Sequence, residues 1–207
     1  IWKLLLIVTV IFIASWLAGI FFLLRRNSNI NQNLAKFLPL IGNTAILIFI
    51  VSLWIELDRP PLRTMAETRL WYSFFVCWVT WMIFIRTKSI PMYILGFIMS
   101  AVFLIVDLIH PEYQSKSLMP ALQSPWFIPH VVIYMISYAV LFAASTSAIV
   151  GLFASKRSKF EIEKYINLSM DLVYPGMGLL TLGMLMGAIW AKIAWGNYWT
   201  WDPKETW

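Results

Sequence analysis

The stretch LLLIVTVIFIASWLAGIFFLL, residues 4–24, contains no charged side chain. A transmembrane helix needs ~20 mostly apolar residues to cross a hydrocarbon layer ~30 Å thick, so this stretch is long enough to span a membrane. Its flanking charges, Lys3 before it and Arg25 and Arg26 after it, also occur around secretory signals. The apolar part of a signal has only about 7 to 15 residues and precedes a cleavage site of small residues, so we interpret this stretch as a retained helix.

The rest of the chain has the same apolar character. Of its 207 residues, 60% are hydrophobic and only 13% are charged, which is about half the charged fraction of an average soluble domain. Further apolar segments lie at 39–57, 70–85, 90–107, 130–154 and 172–191. The sequence therefore predicts an all-α fold, a polytopic transmembrane helical bundle over residues 1–194 with about six spans, followed by an external segment at residues 195–207.

Positive charge in the short loops predicts the orientation of this bundle. Cytoplasmic loops carry an excess of Lys and Arg, and the loops after the first, third and fifth segments have more of them than the opposite side. We therefore expect the N-terminus, the loop at 108–129 and the C-terminal segment to face outward. The net charge of +6 belongs to these helix flanks. No basic stripe is interleaved with exposed aromatic residues, so we expect no nucleic-acid partner.

The sequence gives little support to a hydrolase or a nucleotide-dependent enzyme. It contains no Gly-rich phosphate loop and no nucleophile motif. Its only cysteine, Cys77, lies inside the third apolar segment. We expect a buried, inert thiol there rather than a disulfide or a metal ligand.

The C-terminal sequence WGNYWTWDPKETW, residues 195–207, is rich in tryptophan. Tryptophan and tyrosine collect where a membrane meets water, so some of these rings need no role beyond anchoring. An anchoring belt requires neither this density nor a glycine, and a surface of flat rings suits a flat aromatic ligand. The candidate binding residues of this segment are Trp195, Gly196, Tyr198, Trp199, Trp201 and Asp202.

The last residues of the chain predict another helix. Asp202 is a good helix cap, Pro203 suits a first turn, and Glu205 stands where the acid of a capping box would. A seventh helix should therefore begin near residue 203. Because the chain also begins at Ile1 rather than Met, we expect it to be a fragment with a truncated seventh span.

Two histidines lie at predicted helix ends on the outward side. For His110, with Asp107 one turn before it, we expect an interfacial or Asp-paired side chain rather than a ligand. His130 follows Pro129, which marks a helix start. A neutral imidazole beside a platform of tryptophans can bind haem iron. The alternative is a core histidine above an interfacial belt.

A polar stripe follows His130 along the fifth segment. Tyr134, Ser137, Tyr138 and Ser145 recur at helical spacing after it. Polar side chains within a span are expensive to expose to lipid, so we expect this stripe to face the interior of the bundle.

Three stretches of this sequence resemble one family. WGNYWTWDPKETW closely resembles the tryptophan-rich signature of cytochrome c assembly proteins of the CcsA (ResC) kind, which handle haem. QSPWFIPHVVIYMISYAVLF, residues 123–142, contains Trp126 and is similar to the stretch around the family's first external haem-ligating histidine, which corresponds to His130. RPPLRTMAETRLWYSFF, residues 59–75, more weakly resembles an outer loop and the helix after it.

This resemblance implies a function and a set of partners. Such proteins carry haem b across the bacterial inner or thylakoid membrane with a membrane partner of the CcsB (ResB) kind, separate or fused. The pair forms the cytochrome c synthetase of System II and holds haem at the outer face. There the haem vinyls form thioether bonds with the CxxCH cysteines of apocytochrome c. The family's second external histidine and its membrane-buried histidine would lie beyond Trp207.

The resemblance assigns orientation of the haem, rather than bond-making chemistry, to this chain. The apocytochrome supplies the nucleophilic thiols, and no residue here is a candidate acid or base. Two other function classes fit many apolar helices: a cofactor-free transporter or channel, and a b-haem electron carrier.

Two arginines are further candidates for contact with haem. Arg59 and Arg63 lie in an outward loop, and haem carries propionates that need cationic or hydrogen-bonding partners. We expect at least one of them to serve the haem or an acidic part of a partner. The alternative is that they pair with Glu56, Asp58 or Glu67, which are close in sequence.

Overall fold

The computed structural model describes residues 1–25, 29–114, 125–154 and 159–201. Within these ranges the chain is helical, with short 3-10 turns at Trp2–Leu4 and Pro111–Gln114 and no β-strand. The long helices are α1 (Leu5–Leu24), α2 (Asn29–Leu57), α3 (Met65–Thr87), α4 (Ile90–Ile109), α5 (Phe127–Ala154) and α6 (Lys159–Trp195). All six are long and apolar enough to cross a membrane, which confirms the predicted all-α polytopic fold.

Several helices are longer than the apolar segments that predicted them. The second span was expected at 39–57 and the sixth at 172–191, whereas α2 begins at Asn29 and α6 runs from Lys159 to Trp195. Hydropathy detects only the part of a helix that hydrocarbon covers, and polar turns beyond it continue the same backbone hydrogen bonding.

The start of α3 is fixed by a capping box. The Thr64 side chain accepts a hydrogen bond from the Glu67 backbone N–H at 3.1 Å, and the Glu67 carboxylate accepts the Thr64 N–H at 3.2 Å. These two bonds satisfy donors that a helix start would otherwise leave unpaired. The start of α5 contains Pro129 within its first turn, where proline removes no helical hydrogen bond.

The bundle has one main aromatic core and one tightly packed pair of helices. Phe12 and Trp16 of α1 pack on Phe97 and Tyr93 of α4, with ring centroids 4.6 to 6.0 Å apart. Trp71 and Trp78 pack against this core, and Cys77 is a buried free thiol. Beyond this core, α5 lies along α6 and joins the other helices mainly through α3.

Because successive helices run in opposite directions, the candidate residues lie at one end of the bundle. At this end the Arg69 guanidinium in the first turns of α3 lies 3.3 Å from the Asp107 carboxylate in the last turn of α4. We call it the tryptophan end; it comprises residues 1–4, 56–69, 107–114, 126–130 and 190–201. At the opposite end, the Ser89 hydroxyl lies 3.1 Å from that of Tyr165.

Of the two surroundings expected for His110, an interfacial position or a pairing with Asp107, the pairing is wrong. His110 Nδ1 lies 2.8 Å from the Glu112 carboxylate, while Asp107 is buried and accepts a hydrogen bond from the Arg69 guanidinium at 3.3 Å. Asp107 belongs to the last turn of α4 and faces α3, whereas His110 lies beyond the helix end, where Glu112 is closer.

Candidate functional site

His130 lies in the first turns of α5 and turns its imidazole towards α6. Its Nδ1 is 2.7 Å from the backbone carbonyl oxygen of Gly183. Because a carbonyl can only accept, Nδ1 carries the proton and donates it to this bond. A neutral imidazole with a protonated Nδ1 keeps its lone pair on Nε2, which is the form that binds a metal.

Aromatic rings surround this imidazole. Trp190 of α6 stacks on it with centroids 6.0 Å apart and planes 17° apart, and Tyr134 meets it edge-on at 4.6 Å. Trp190 in turn contacts Phe127 at 5.7 Å and Trp195 at 4.6 Å. We call these five residues, Phe127, His130, Tyr134, Trp190 and Trp195, the His130 cluster.

Trp190 is the functional candidate that the sequence reasoning missed. It is buried, with 8% of its surface exposed, and connects His130 with the tryptophan segment. The available signal was spacing, because Gly183, Gly187 and Trp190 recur at steps of four and three residues and therefore share one face of α6. Two glycines and one large ring on one face indicate a surface that accepts another helix closely.

The described part of the tryptophan segment is a helix end followed by an extended stretch. Trp195, expected as its first external residue, is the last residue of α6. Gly196 follows with φ of +84°, a left-handed conformation that glycine adopts freely, and its N–H donates to the Lys192 carbonyl at 3.0 Å. The Lys192 ammonium donates to the Gly196 carbonyl at 2.7 Å and lies over the Tyr198 ring.

The structure brings only part of the predicted platform to His130. Trp195 reaches it through Trp190, whereas Trp199 and Trp201 pack on one another with ring centroids 6.0 Å apart. Trp201 is 78% exposed and Trp199 is 38% exposed, so both present ring surface outside the bundle. Asp202 and the predicted seventh helix lie outside the described residues.

Trp126 lies one turn before His130. Its side chain is exposed, and its carbonyl accepts the His130 backbone N–H at 3.4 Å. Trp126 is therefore placed at the tryptophan end, close to the His130 cluster along the chain.

The two candidate arginines have different surroundings. Both Nη atoms of Arg59 lie within 3.0 Å of the Glu67 carboxylate, so Arg59 adopts the alternative pairing with an acid close in sequence. The Arg63 backbone N–H also donates to Glu67, at 2.6 Å. In the ranges that the structure covers, the Arg63 guanidinium itself has no hydrogen-bond or ion-pair partner. Arg63 is thus the arginine whose charge remains available to an anionic group.

The polar stripe on α5 is only partly inward-facing. Ser137 is buried and donates to the Gly176 carbonyl at 2.8 Å, and Tyr134 stacks on Tyr138 at 5.5 Å. Tyr138 and Ser145 are exposed, contrary to the prediction. Each step of four residues turns the side chain by about 40° around a helix, so a stripe counted by fours rotates out of the interior along its length.

A groove of about 520 Å³ opens beside the His130 cluster, between α3, α4 and α5. Tyr134 borders it, and Arg69, paired with Asp107, lies among the polar residues of its lining. The remaining lining is aromatic or aliphatic: Tyr72, Met99, Phe103, Val131, Met135 and Tyr138.

Comparison with known sequences agrees with the motifs. The family described as "Cytochrome C assembly protein" matches residues 4–207, nearly the whole chain. The chain belongs to this family. It is 33% identical to the cytochrome c biogenesis protein CcsA of Mesostigma viride, over 82% of this chain and 69% of that protein.

Two other relatives carry the same description. The CcsA protein of Prochlorococcus marinus is 28% identical over 86% of this chain and 68% of its own length. That of Chlamydomonas reinhardtii is 46% identical over 45% of this chain and 29% of its own length. The protein thus has a role in cytochrome c biogenesis, as its tryptophan-rich motif predicted.

Proposed function

We propose that this protein is the haem-presenting subunit of a System II cytochrome c synthetase. It binds haem b as cargo at the outer face of the membrane and holds it for thioether attachment to the CxxCH motif of apocytochrome c. The observation that carries this proposal is the orientation of His130, whose Nδ1–H bond to Gly183 leaves Nε2 as an iron ligand.

The residues around His130 fit a flat, apolar ligand with an iron centre. The Trp190 ring lies nearly parallel to the imidazole, and the hydrogen bond to Gly183 restricts rotation of the imidazole. The Nε2 lone pair therefore points in a defined direction towards any iron atom that it binds. Trp195 extends the aromatic surface towards solvent, and Trp199 and Trp201 offer further exposed rings. His130 would supply one ligand to the haem iron, and the family resemblance implies that the second is a histidine that follows the tryptophan-rich motif.

Charge favours an outward position for this site. The Arg63 guanidinium at the tryptophan end is available for a haem propionate or for an acidic surface of a partner. By sequence, the loops and flanks after the first, third and fifth spans carry the larger share of Lys and Arg, and the positive-inside rule assigns that side to the cytoplasm. We therefore place the tryptophan end on the periplasmic or lumenal side of a bacterial inner or thylakoid membrane, beside a CcsB/ResB-type partner.

The chemistry of the chain's own residues is binding and orientation. The thiols of the apocytochrome add to the haem vinyls, so the protein needs to hold the haem plane and expose its vinyl edge. His130 would hold the iron, and the exposed rings of Trp199 and Trp201 would offer apolar surface to the haem plane.

The experiment that tests this proposal compares the chain's two histidines in the full-length protein purified with its membrane partner. His130→Ala should lower or shift the haem absorption and reduce the cytochrome c yield, whereas His110→Ala should leave both unchanged because His110 pairs with Glu112 and lies against Tyr113, outside the His130 cluster. Equal haem content in both variants and normal yield would contradict the proposal. Colourless wild-type protein with solute flux would favour a transporter instead.

A further inference from the structure

Gly187 of α6, which has no side chain, lies directly against the His130 imidazole. A Cβ atom placed on Gly187 would lie 2.6 Å from Cε1 and 2.8 Å from Nδ1 of His130. Carbon atoms in folded proteins do not approach a ring this closely, so the imidazole occupies the space that any other residue at position 187 would fill.

The imidazole has little freedom to avoid such a Cβ. Its Nδ1 is bonded to the Gly183 carbonyl, its face meets Trp190, and its edge meets Tyr134. The Tyr134 ring is itself close to α6, because a Cβ on Gly183 would lie 3.2 Å from it. A displaced imidazole would therefore lose the Gly183 bond or force neighbouring rings to move.

Gly187 lies one helical turn beyond Gly183. We call the surface of α6 that these two glycines form against the His130 imidazole the seat. In a regular helix the Gly187 N–H bonds to the Gly183 carbonyl, whose second lone pair remains free to accept the His130 proton. Bare Cα atoms on this face let α5 approach closely, as small residues do between membrane helices.

Glycine is disfavoured in a helix interior relative to alanine, so a helical glycine that contacts a ring calls for a physical reason. Gly178 offers a contrast on the same helix, since a Cβ there meets nothing within 4 Å. Gly176 also lies against α5, but its would-be Cβ meets the flexible end of Leu141 at 2.7 Å instead of His130.

We propose that Gly187 is a positioning residue for His130, the proposed iron ligand. Because Gly187 has no side chain, the Nδ1–H group of His130 can donate to the Gly183 carbonyl. This bond keeps the proton on Nδ1 and fixes the direction in which Nε2 points. This inference rests on the proposed haem-binding role of His130 for its functional consequence. The seat itself is a property of the protein without haem.

A double-mutant cycle tests the seat without haem. Unfolding temperatures would be compared for the wild type, Gly187→Ala, His130→Ala and the double variant, each as the full-length protein with its partner. Gly187→Ala should lower the unfolding temperature when His130 is present and leave it unchanged or raise it when His130 is alanine, because only the imidazole occupies the space. Failure of Gly187→Ala to fold, with recovery in the double variant, supports the seat equally. An equal loss in both backgrounds would overturn it.

Haem absorption then tests the functional consequence. Gly187→Ala should reduce retained haem about fivefold or more, the factor that corresponds to losing one orienting hydrogen bond. Gly178→Ala should retain haem fully, and Gly176→Ala should perturb α5–α6 packing without a comparable loss of haem.

The two proposals fail in different ways. If His130→Ala leaves haem unchanged, the haem-binding proposal fails, while the stability cycle still judges the seat. If His130→Ala loses haem and Gly187→Ala behaves like Gly178→Ala, His130 is a ligand that needs no seat on α6, and the positioning role is overturned.

Discussion

Removing the Trp190 ring should loosen the His130 cluster more than removing any exposed tryptophan. Trp190→Ala deletes contacts with His130, Phe127 and Trp195. Lipid is itself apolar, so burial adds less here than in a soluble core. The three ring contacts, at ~0.5 to 1.5 kcal/mol each, give a total loss of about 1.5 to 4.5 kcal/mol.

Unfolding of the detergent-solubilised protein, followed by loss of helical circular dichroism, measures this loss. Trp190→Phe should lose about half as much, because a smaller ring keeps part of each contact. The matched control is Trp54→Ala on α2, an exposed tryptophan outside the His130 cluster, for which we expect a change within about 0.5 kcal/mol. If Trp190→Ala is as stable as Trp54→Ala and retains the same haem, the cluster does not organise the site.

Three other sets of substitutions test separate contacts. Glu67→Ala leaves the Arg59 guanidinium without its acidic partner and removes the capping box of α3, so it should destabilise the protein by about 2 to 4 kcal/mol in the same unfolding assay. Arg63→Gln should lower the cytochrome c yield at equal protein level without changing stability, and a normal yield would remove Arg63 from the site. Trp199→Ala and Trp201→Ala should abolish haem-dependent maturation in a stably inserted protein while phenylalanine retains part of it; normal maturation by the alanine variants would leave these rings as membrane anchors.

The spans could be predicted because their cause is local. Apolar length alone is enough to place a helix in hydrocarbon, and residues 4–24 correspond to α1 almost residue for residue. The polar turns that extend α2 back to Asn29 and α6 back to Lys159 were not predicted, because no hydropathy signal separates them from loops.

The site was less predictable because it depends on which helix faces meet. Pro129 and the motif around His130 indicated that residue as a candidate, but nothing local to it shows that its Nδ1 faces the Gly183 carbonyl. Trp190 lies inside an apolar run, where a tryptophan resembles any other bundle residue. Its relation to His130 follows only from the packing of α5 on α6.

The partners of charged and titratable side chains were equally hard to predict from the sequence. Arg59 had three acids nearby in sequence, and the choice of Glu67 depends on the turn before α3, where that carboxylate also accepts backbone N–H groups. For His110, pairing with Asp107 was one of two expectations and depended on helical spacing, but α4 ends at Ile109, so that spacing does not apply to His110.

The most direct measurement of the central claim is the axial ligation of haem in the full-length protein with His130 replaced by cysteine. A cysteine thiolate is a different iron ligand from imidazole and changes the absorption of reduced haem. We predict that His130→Cys converts the bound haem to a thiolate-ligated spectrum or loses the haem, while His110→Cys keeps the wild-type spectrum. A wild-type haem spectrum at full occupancy in His130→Cys would show that His130 does not bind the iron and would contradict the account.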